Sequence, residues 1–179
     1  MNRLAAVTST DHIFPQYLNT PVGMLLEYHN LGRPHETFDS AQLLIGTCMD
    51  FRININMPAN FAFVIRTGGA NMQFSDFYIS FAFATGSLKH MALIGHNDCR
   101  MTDLQSKREL FITGLAEHTG VDPTKGEDQF ENSVSKYEIG NEVDFVVGET
   151  IRLRKLYPKV LITPMMYLVE DSKLYLIEE

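Results

Sequence analysis

Leu43-Leu44-Ile45-Gly46-Thr47-Cys48-Met49-Asp50-Phe51-Arg52 is the stretch on which the reading of this chain turns. An apolar run leads into alternating Cys48, Asp50 and Arg52. A second apolar run, Met91-Ala92-Leu93-Ile94-Gly95, leads into His96-Asn97-Asp98-Cys99. Short apolar runs without alternation read as strands buried on both faces, the pattern of a parallel sheet. Open sheets of that kind bind ligands beyond the carboxyl ends of their strands. Alternate residues of an extended segment point the same way. Cys48, Asp50 and Arg52 can therefore face one site while Met49 and Phe51 face away. His96 and Cys99 are three apart, so a tight turn can present both to one ion. The two segments carry the only two cysteines of the chain. Zinc takes tetrahedral Cys, His and carboxylate ligands, and a catalytic zinc keeps one position open. Cys48, His96 and Cys99 supply three ligands, and the fourth position falls to water or to Asp50. The plainer alternatives are a buried thiol pair beside a core histidine, and a structural Asp50–Arg52 ion pair.

Cys-x-Asp-x-Arg followed by His-x-x-Cys resembles the β-class carbonic anhydrases. Phe63-Val64-Ile65-Arg66-Thr67-Gly68-Gly69 is similar to that family's strand and Arg-x-x-Gly loop. The likeness covers residues 40–105 and looks closest to the shorter bacterial and archaeal members. It implies Zn²⁺ on Cys48, His96 and Cys99, with Asp50 and Arg52 as a catalytic dyad. In that scheme Arg52 keeps Asp50 ionised, Asp50 orients a zinc-bound hydroxide, and the hydroxide attacks CO₂ to give bicarbonate and a proton. The resemblance also implies a closed state in which Arg52 releases Asp50 to become the fourth zinc ligand. In proteins resembling this one the site lies at a dimer interface, so a homodimer or higher homo-oligomer is expected. Arg66, Gly68, Gly69 and Arg100 are the candidates for the substrate pocket. Arg66 either lines the pocket or anchors the Gly loop, and Asp98 either caps the following turn or holds Arg66.

The chain departs from the family pattern at identifiable places. Many members carry a small hydroxylic residue after the ligand His and Gly after the second Cys, where this chain has Asn97 and Arg100. Arg100 either attracts bicarbonate or obstructs the pocket. The connector 53–60 holds Asn rather than the Gln of plant-type members, and the family's Arg-Asn-Ala is Arg66-Thr67-Gly68 here. Two further readings stay open: the same zinc site acting on COS or CS₂, and a non-catalytic paralogue that binds zinc or bicarbonate.

Bulk properties narrow the field. A length of 179 residues suits one domain, 1–179, with an N-terminal arm and helix over 1–35 and an α/β core over 40–179. A net charge of −7 argues against nucleic acid as a partner. No apolar run approaches the ~20 residues that span a bilayer. The apolar part of Met1 to Val7 is too short for a secretory signal. These features predict a cytoplasmic protein with no membrane partner, whose cysteines are ligands or redox groups rather than a structural disulfide.

Along the chain, residues 1–19 read as an irregular arm. Thr20-Pro21 starts a helix that Gly32 and Pro34 end. Such arms wrap a partner subunit in proteins resembling this one; packing on its own domain is the alternative. Strands are expected over 43–47, 61–66 and 91–95, with Ser75 capping a helix over 76–86. That helix is apolar nearly all round and needs cover on more than one face, deep in the core or against a second subunit. Thr102-Asp103-Leu104-Gln105 matches a capping box for a helix to about His118. Polar, acidic residues 121–135 read as a surface loop, and Asn141 as the cap of a helix ending at Pro158. Val160–Thr163 reads as a strand, and Tyr167–Val169 with Leu174–Ile177 as a hairpin. The expected fold class is α/β: a mostly parallel central sheet flanked by helices, with a C-terminal antiparallel hairpin or edge strand.

Overall fold

The computed structural model describes residues 3–179. Its strands are β1 (Leu4–Ala6), β2 (Leu43–Cys48), β3 (Ala62–Thr67), β4 (His90–His96), β5 (Leu161–Leu168) and β6 (Lys173–Ile177). Its helices are α1 (Pro21–Leu31), α2 (Asp76–Gly86), α3 (Arg108–Thr119), α4 (Pro123–Tyr137) and α5 (Glu142–Leu156). The strands form one six-stranded sheet in the order β1-β6-β5-β4-β2-β3. β3, β2, β4 and β5 run parallel, while β5–β6 and β6–β1 are antiparallel. The α/β class and the terminal hairpin are as expected.

β2 and β4 are buried along nearly their whole length, which explains their unbroken apolar runs. Their residues divide by parity between two cores. Leu43, Ile45, Ala92 and Ile94 join the face covered by α1, through Val22, Leu25, Leu26 and Tyr28. Leu44, Met91 and Leu93 join the opposite face, with Ile79 of α2 and Val146 and Leu153 of α5. The α5 side is so close that a Cβ on Gly95 would sit 2.5 Å from Val146 Cγ2. The arm helix α1 thus lies on its own chain. Thr20 Oγ1 accepts the Gly23 N–H at its start, and Gly32 ends it at φ 70°.

Four segments differ from expectation. The N-terminal arm is not wholly irregular: Leu4–Ala6 pairs with β6, a long-range ladder that three residues cannot announce. Residues 121–135 belong mostly to a helix. Asp122 Oδ1 accepts the Thr124 N–H, Pro123 occupies the first turn, and Gly126, Phe130 and Val134 recur every four residues on the buried side. Polar residues on the solvent side masked that stripe. The proposed capping box does not form, because Thr102 Oγ1 donates instead to the Cys99 carbonyl (2.8 Å). A 3₁₀ turn over Gln105–Lys107 precedes α3. Finally, 161–168 is one strand rather than two. Pro164 opposes Leu93 in the parallel ladder and stands one residue before the β6 ladder begins at Met165, a position that tolerates its missing N–H. Ser75 precedes α2 as expected, but its side chain makes no capping hydrogen bond.

Candidate metal centre

The carboxyl ends of β2 and β4 bring Cys48 and His96 together, and the turn after β4 returns Cys99 to them. One ligand atom from each lies within 4.8 Å of the others, and all three residues are buried. The donor set fits zinc. Bonds of about 2.0–2.3 Å place the ligand atoms of a tetrahedron roughly 3.5–3.8 Å apart, within that span. His96 Nδ1 donates to the Asn97 carbonyl (2.9 Å). That leaves Nε2 with its lone pair, buried and without a protein partner. A ligand histidine fixed through its other nitrogen by a backbone carbonyl is a recurrent metal-site arrangement.

The thiols are linked. A hydrogen bond from Cys99 pulls the pKa of the Cys48 thiol well below its ordinary value, against the effect of burial. That same bond, with burial, pushes Cys99 up. Burial pulls His96 down, but the Cys48 sulfur outweighs it and leaves the imidazole raised. The Gly69 N–H donates to Cys48 Sγ (3.3 Å). Gly69 has φ 64°, and a Cβ there would lie 2.9 Å from Ile139 Cγ2, so only glycine fits.

Beside the cluster, Arg52 clasps Asp50. Arg52 Nε and its backbone N–H donate to Asp50 Oδ1 (both 2.9 Å), and Nη2 donates to Oδ2 (2.8 Å). The Arg52 side chain, by this hydrogen bonding first, holds the carboxyl far below the usual carboxylate range. Asp50 is outside the three-residue group and is paired with Arg52. Arg52 Nη1 also donates to Asp98 Oδ2 (2.7 Å), and Nη2 to the Asp98 carbonyl (3.0 Å). Asp98 therefore neither caps the next turn nor holds Arg66. It faces Arg52 because a left-handed φ of 54° turns it back toward β2.

A cavity of about 370 Å³ opens on the cluster, walled by Cys48, Met49, Asp50, Phe51, Cys99, Arg100 and Met101. Arg100 stands on this wall. Arg66, Gly68 and Gly69 do not. Arg66 donates to the Cys48 and Ile53 carbonyls (3.0 and 3.1 Å) and so braces the 48–53 loop. It reaches there because β3 pairs with β2 in register Thr47–Arg66. A Cβ on Gly68 would meet Met101 Cε at 3.0 Å, so this turn supports the wall from behind.

Three supporting residues make contacts that the local sequence does not signal. Asn97 donates to Glu170 Oε2 (2.7 Å) and accepts the Val169 N–H (2.8 Å), tying the ligand turn to the C-terminal hairpin. Tyr167 Oη donates to the Arg52 carbonyl (3.3 Å), and Glu142 Oε1 accepts the Cys99 N–H (3.4 Å). Of the three, only Asn97 stands out in the sequence, as a departure from the family pattern.

No protein-family model and no curated protein matches the chain. Solved structures do. A β-carbonic anhydrase from Trichomonas vaginalis superposes with a TM-score of 0.63 at 17% identity, covering 83% of this chain and 90% of that one. A carbon disulfide hydrolase, in its apo form, gives 0.57 at 19% identity over 78% and 80%. A carbonic anhydrase from Streptococcus mutans gives 0.57 at 16% identity over 83% and 89%. Likeness at such low identity is likeness of backbone: the fold of this protein is that of the β-class carbonic anhydrases.

Proposed function

We propose that the protein is a zinc enzyme that hydrates CO₂ reversibly to bicarbonate and a proton. The observation that carries this reading is the buried Cys48–His96–Cys99 cluster with an Arg-clasped carboxylate beside it, both on one cavity. Zinc held by these ligands would supply a Lewis acid that makes water a nucleophile near neutral pH. The chain's own residues do the rest. Arg52 keeps Asp50 ionised and fixes both its oxygens, so the carboxylate accepts a hydrogen bond from the attacking water and aims its lone pair at carbon. Asp98 shares Arg52 and holds the guanidinium in place. Met49 and Phe51, expected to face away, line the cavity with Met101 because the chain leaves the strand after Cys48 and turns at 51–52, and they give it apolar walls suited to a small uncharged substrate. The new C–O bond yields bicarbonate, and the water's second proton passes to buffer.

The test is stopped-flow CO₂ hydration on protein of measured zinc content. One zinc per chain with turnover supports the reading; full zinc with no hydration overturns it. CS₂ or COS hydrolysis is a second reading, favoured by the carbon disulfide hydrolase among the similar structures and by the apolar walls. Sulfide release from CS₂ without CO₂ hydration would select it.

The oligomer belongs to the same proposal. α2 buries Ile79 and Ala82 but leaves Phe77 76% and Phe81 60% exposed. Tyr78 beside them, and Phe63 of edge strand β3 on the same side of the sheet as α2, are exposed too. A contiguous apolar face of this kind is an interaction surface, and a second copy of this chain is its proposed cover. No helix among the described residues is long and apolar enough to cross a membrane. The cytoplasm, whose reducing conditions keep both cysteines available for metal, is the compartment this reading favours.

A further inference from the structure

We infer that Arg100 makes an anion-binding subsite on the cavity wall, one that takes bicarbonate or another small planar oxyanion. The inference rests on the reading of the cavity as an active site and adds the residue that recognises the charged partner of the reaction. Arg100 follows the ligand Cys99 directly and lines the cavity together with Cys48, Asp50 and Cys99.

The argument is one of unmet charge. Every other arginine among the described residues is engaged, from Arg3 with Asp144 to Arg154 with Glu179. Arg52, on the same site, has two carboxylates, Asp50 and Asp98. Arg66 has two backbone carbonyls. The Arg100 guanidinium has no hydrogen bond or ion pair among the described residues, although its own carbonyl accepts a hydrogen bond from Lys107 Nζ (3.0 Å). Lys107 also donates to the Thr102 carbonyl. The backbone of this residue is therefore held while its side chain stands exposed at the cavity mouth, the guanidinium without a protein partner, in a chain of net charge −7. A guanidinium presents paired N–H donors that match a planar oxyanion two at a time. An uncharged CO₂ or CS₂ offers no such match, so Arg100 separates the charged species of the reaction from the uncharged one.

The experiment compares the zinc-loaded wild type with Arg100→Gln and Arg100→Lys. Calorimetric titration with nitrate measures anion affinity directly, without turnover. Inhibition of hydration by added bicarbonate measures it again on the working enzyme. Arg3→Gln, remote from the site, is the control for net charge. Arg100→Gln is expected to weaken nitrate and bicarbonate by about tenfold, the worth of a charge-assisted contact. Arg100→Lys should fall between, since it keeps the charge but loses the fork, and Arg3→Gln should match the wild type. Equal anion affinity in Arg100→Gln and the wild type overturns the inference, as does an equal loss in Arg3→Gln. Failure of the functional reading is distinguishable. A wild type that never hydrates CO₂ would still show nitrate binding that depends on Arg100 if the subsite exists.

Discussion

Asp50 shows how one residue's environment sets its chemistry. Its carboxylate takes hydrogen bonds from Nε, Nη2 and the backbone of Arg52, which hold it ionised well below the usual carboxylate range. Asp50→Asn keeps the ligand set but loses the anionic acceptor. CO₂ hydration should fall by about a hundredfold or more while zinc content is unchanged, as for loss of a positioned acid–base group. Gly69 works through geometry instead. Gly69→Ala forces a Cβ into Ile139 at a left-handed φ. The expected cost is about 1–3 kcal/mol in chemical denaturation, with weaker zinc retention because the N–H to Cys48 shifts. The residue types of the site were readable in the sequence, since Cys48, Asp50, Arg52, His96 and Cys99 follow strand ends at spacings with a stereochemical reason. The partner of Asp98 was not. Its direction depends on a left-handed backbone turn, and sequence spacing carries no such information.

At the scale of elements, β2 and β4 were legible because a strand buried on both faces has one composition whatever surrounds it. α4 was not, because its buried face is only Gly126, Phe130 and Val134 and depends on α3 for cover. Phe130→Ala should therefore destabilise the protein by about 3–5 kcal/mol in urea unfolding. His29 joins three elements at the far end of α1. Its Nδ1 accepts the Asn56 N–H and its Nε2–H donates to the Ser172 carbonyl, both at 3.0 Å. Burial, aided by Lys173 and opposed by the Ser172 contact and Asp171, holds its pKa below the ordinary histidine value. A lowered folded pKa means that the folded state binds fewer protons than the unfolded one. The stability it contributes is full above the unfolded value near 6.5 and is lost as pH falls toward the folded one. Melting temperature should accordingly drop between about pH 7 and pH 5. His29→Gln should flatten that slope, leaving the share due to His90, which burial lowers in the same way.

The whole molecule has two consequences for experiment. Its sheet carries the Cys48–His96–Cys99 cluster at one end of β2 and β4 and an apolar face on α2 and β3 along one edge. With that face proposed as the contact with a second copy, Phe77→Asp combined with Phe81→Asp should convert a dimer to a monomer in sedimentation velocity. A single species unchanged in mass would remove α2 from the interface. Metal removal tests the cluster independently. Chelation should lower the melting temperature and make Cys48 and Cys99 titratable by a thiol reagent, because ligand binding stabilises only the folded chain.

Composition and local pattern determined the α/β class, the buried parallel strands, the helix caps at Thr20 and Asn141, and which Cys, His and Cys meet at the strand ends. Each depends on a residue and its near neighbours in the chain: strand burial, N-cap chemistry, or side chains presented together at a strand end. Tertiary structure alone decided the rest. It placed β1 against β6, made 161–168 one strand, set Arg66 behind the site, turned Asp98 toward Arg52, and left Arg100 without a partner. These depend on residues far apart in sequence meeting across the sheet, and on which charges find partners once the chain has closed around them.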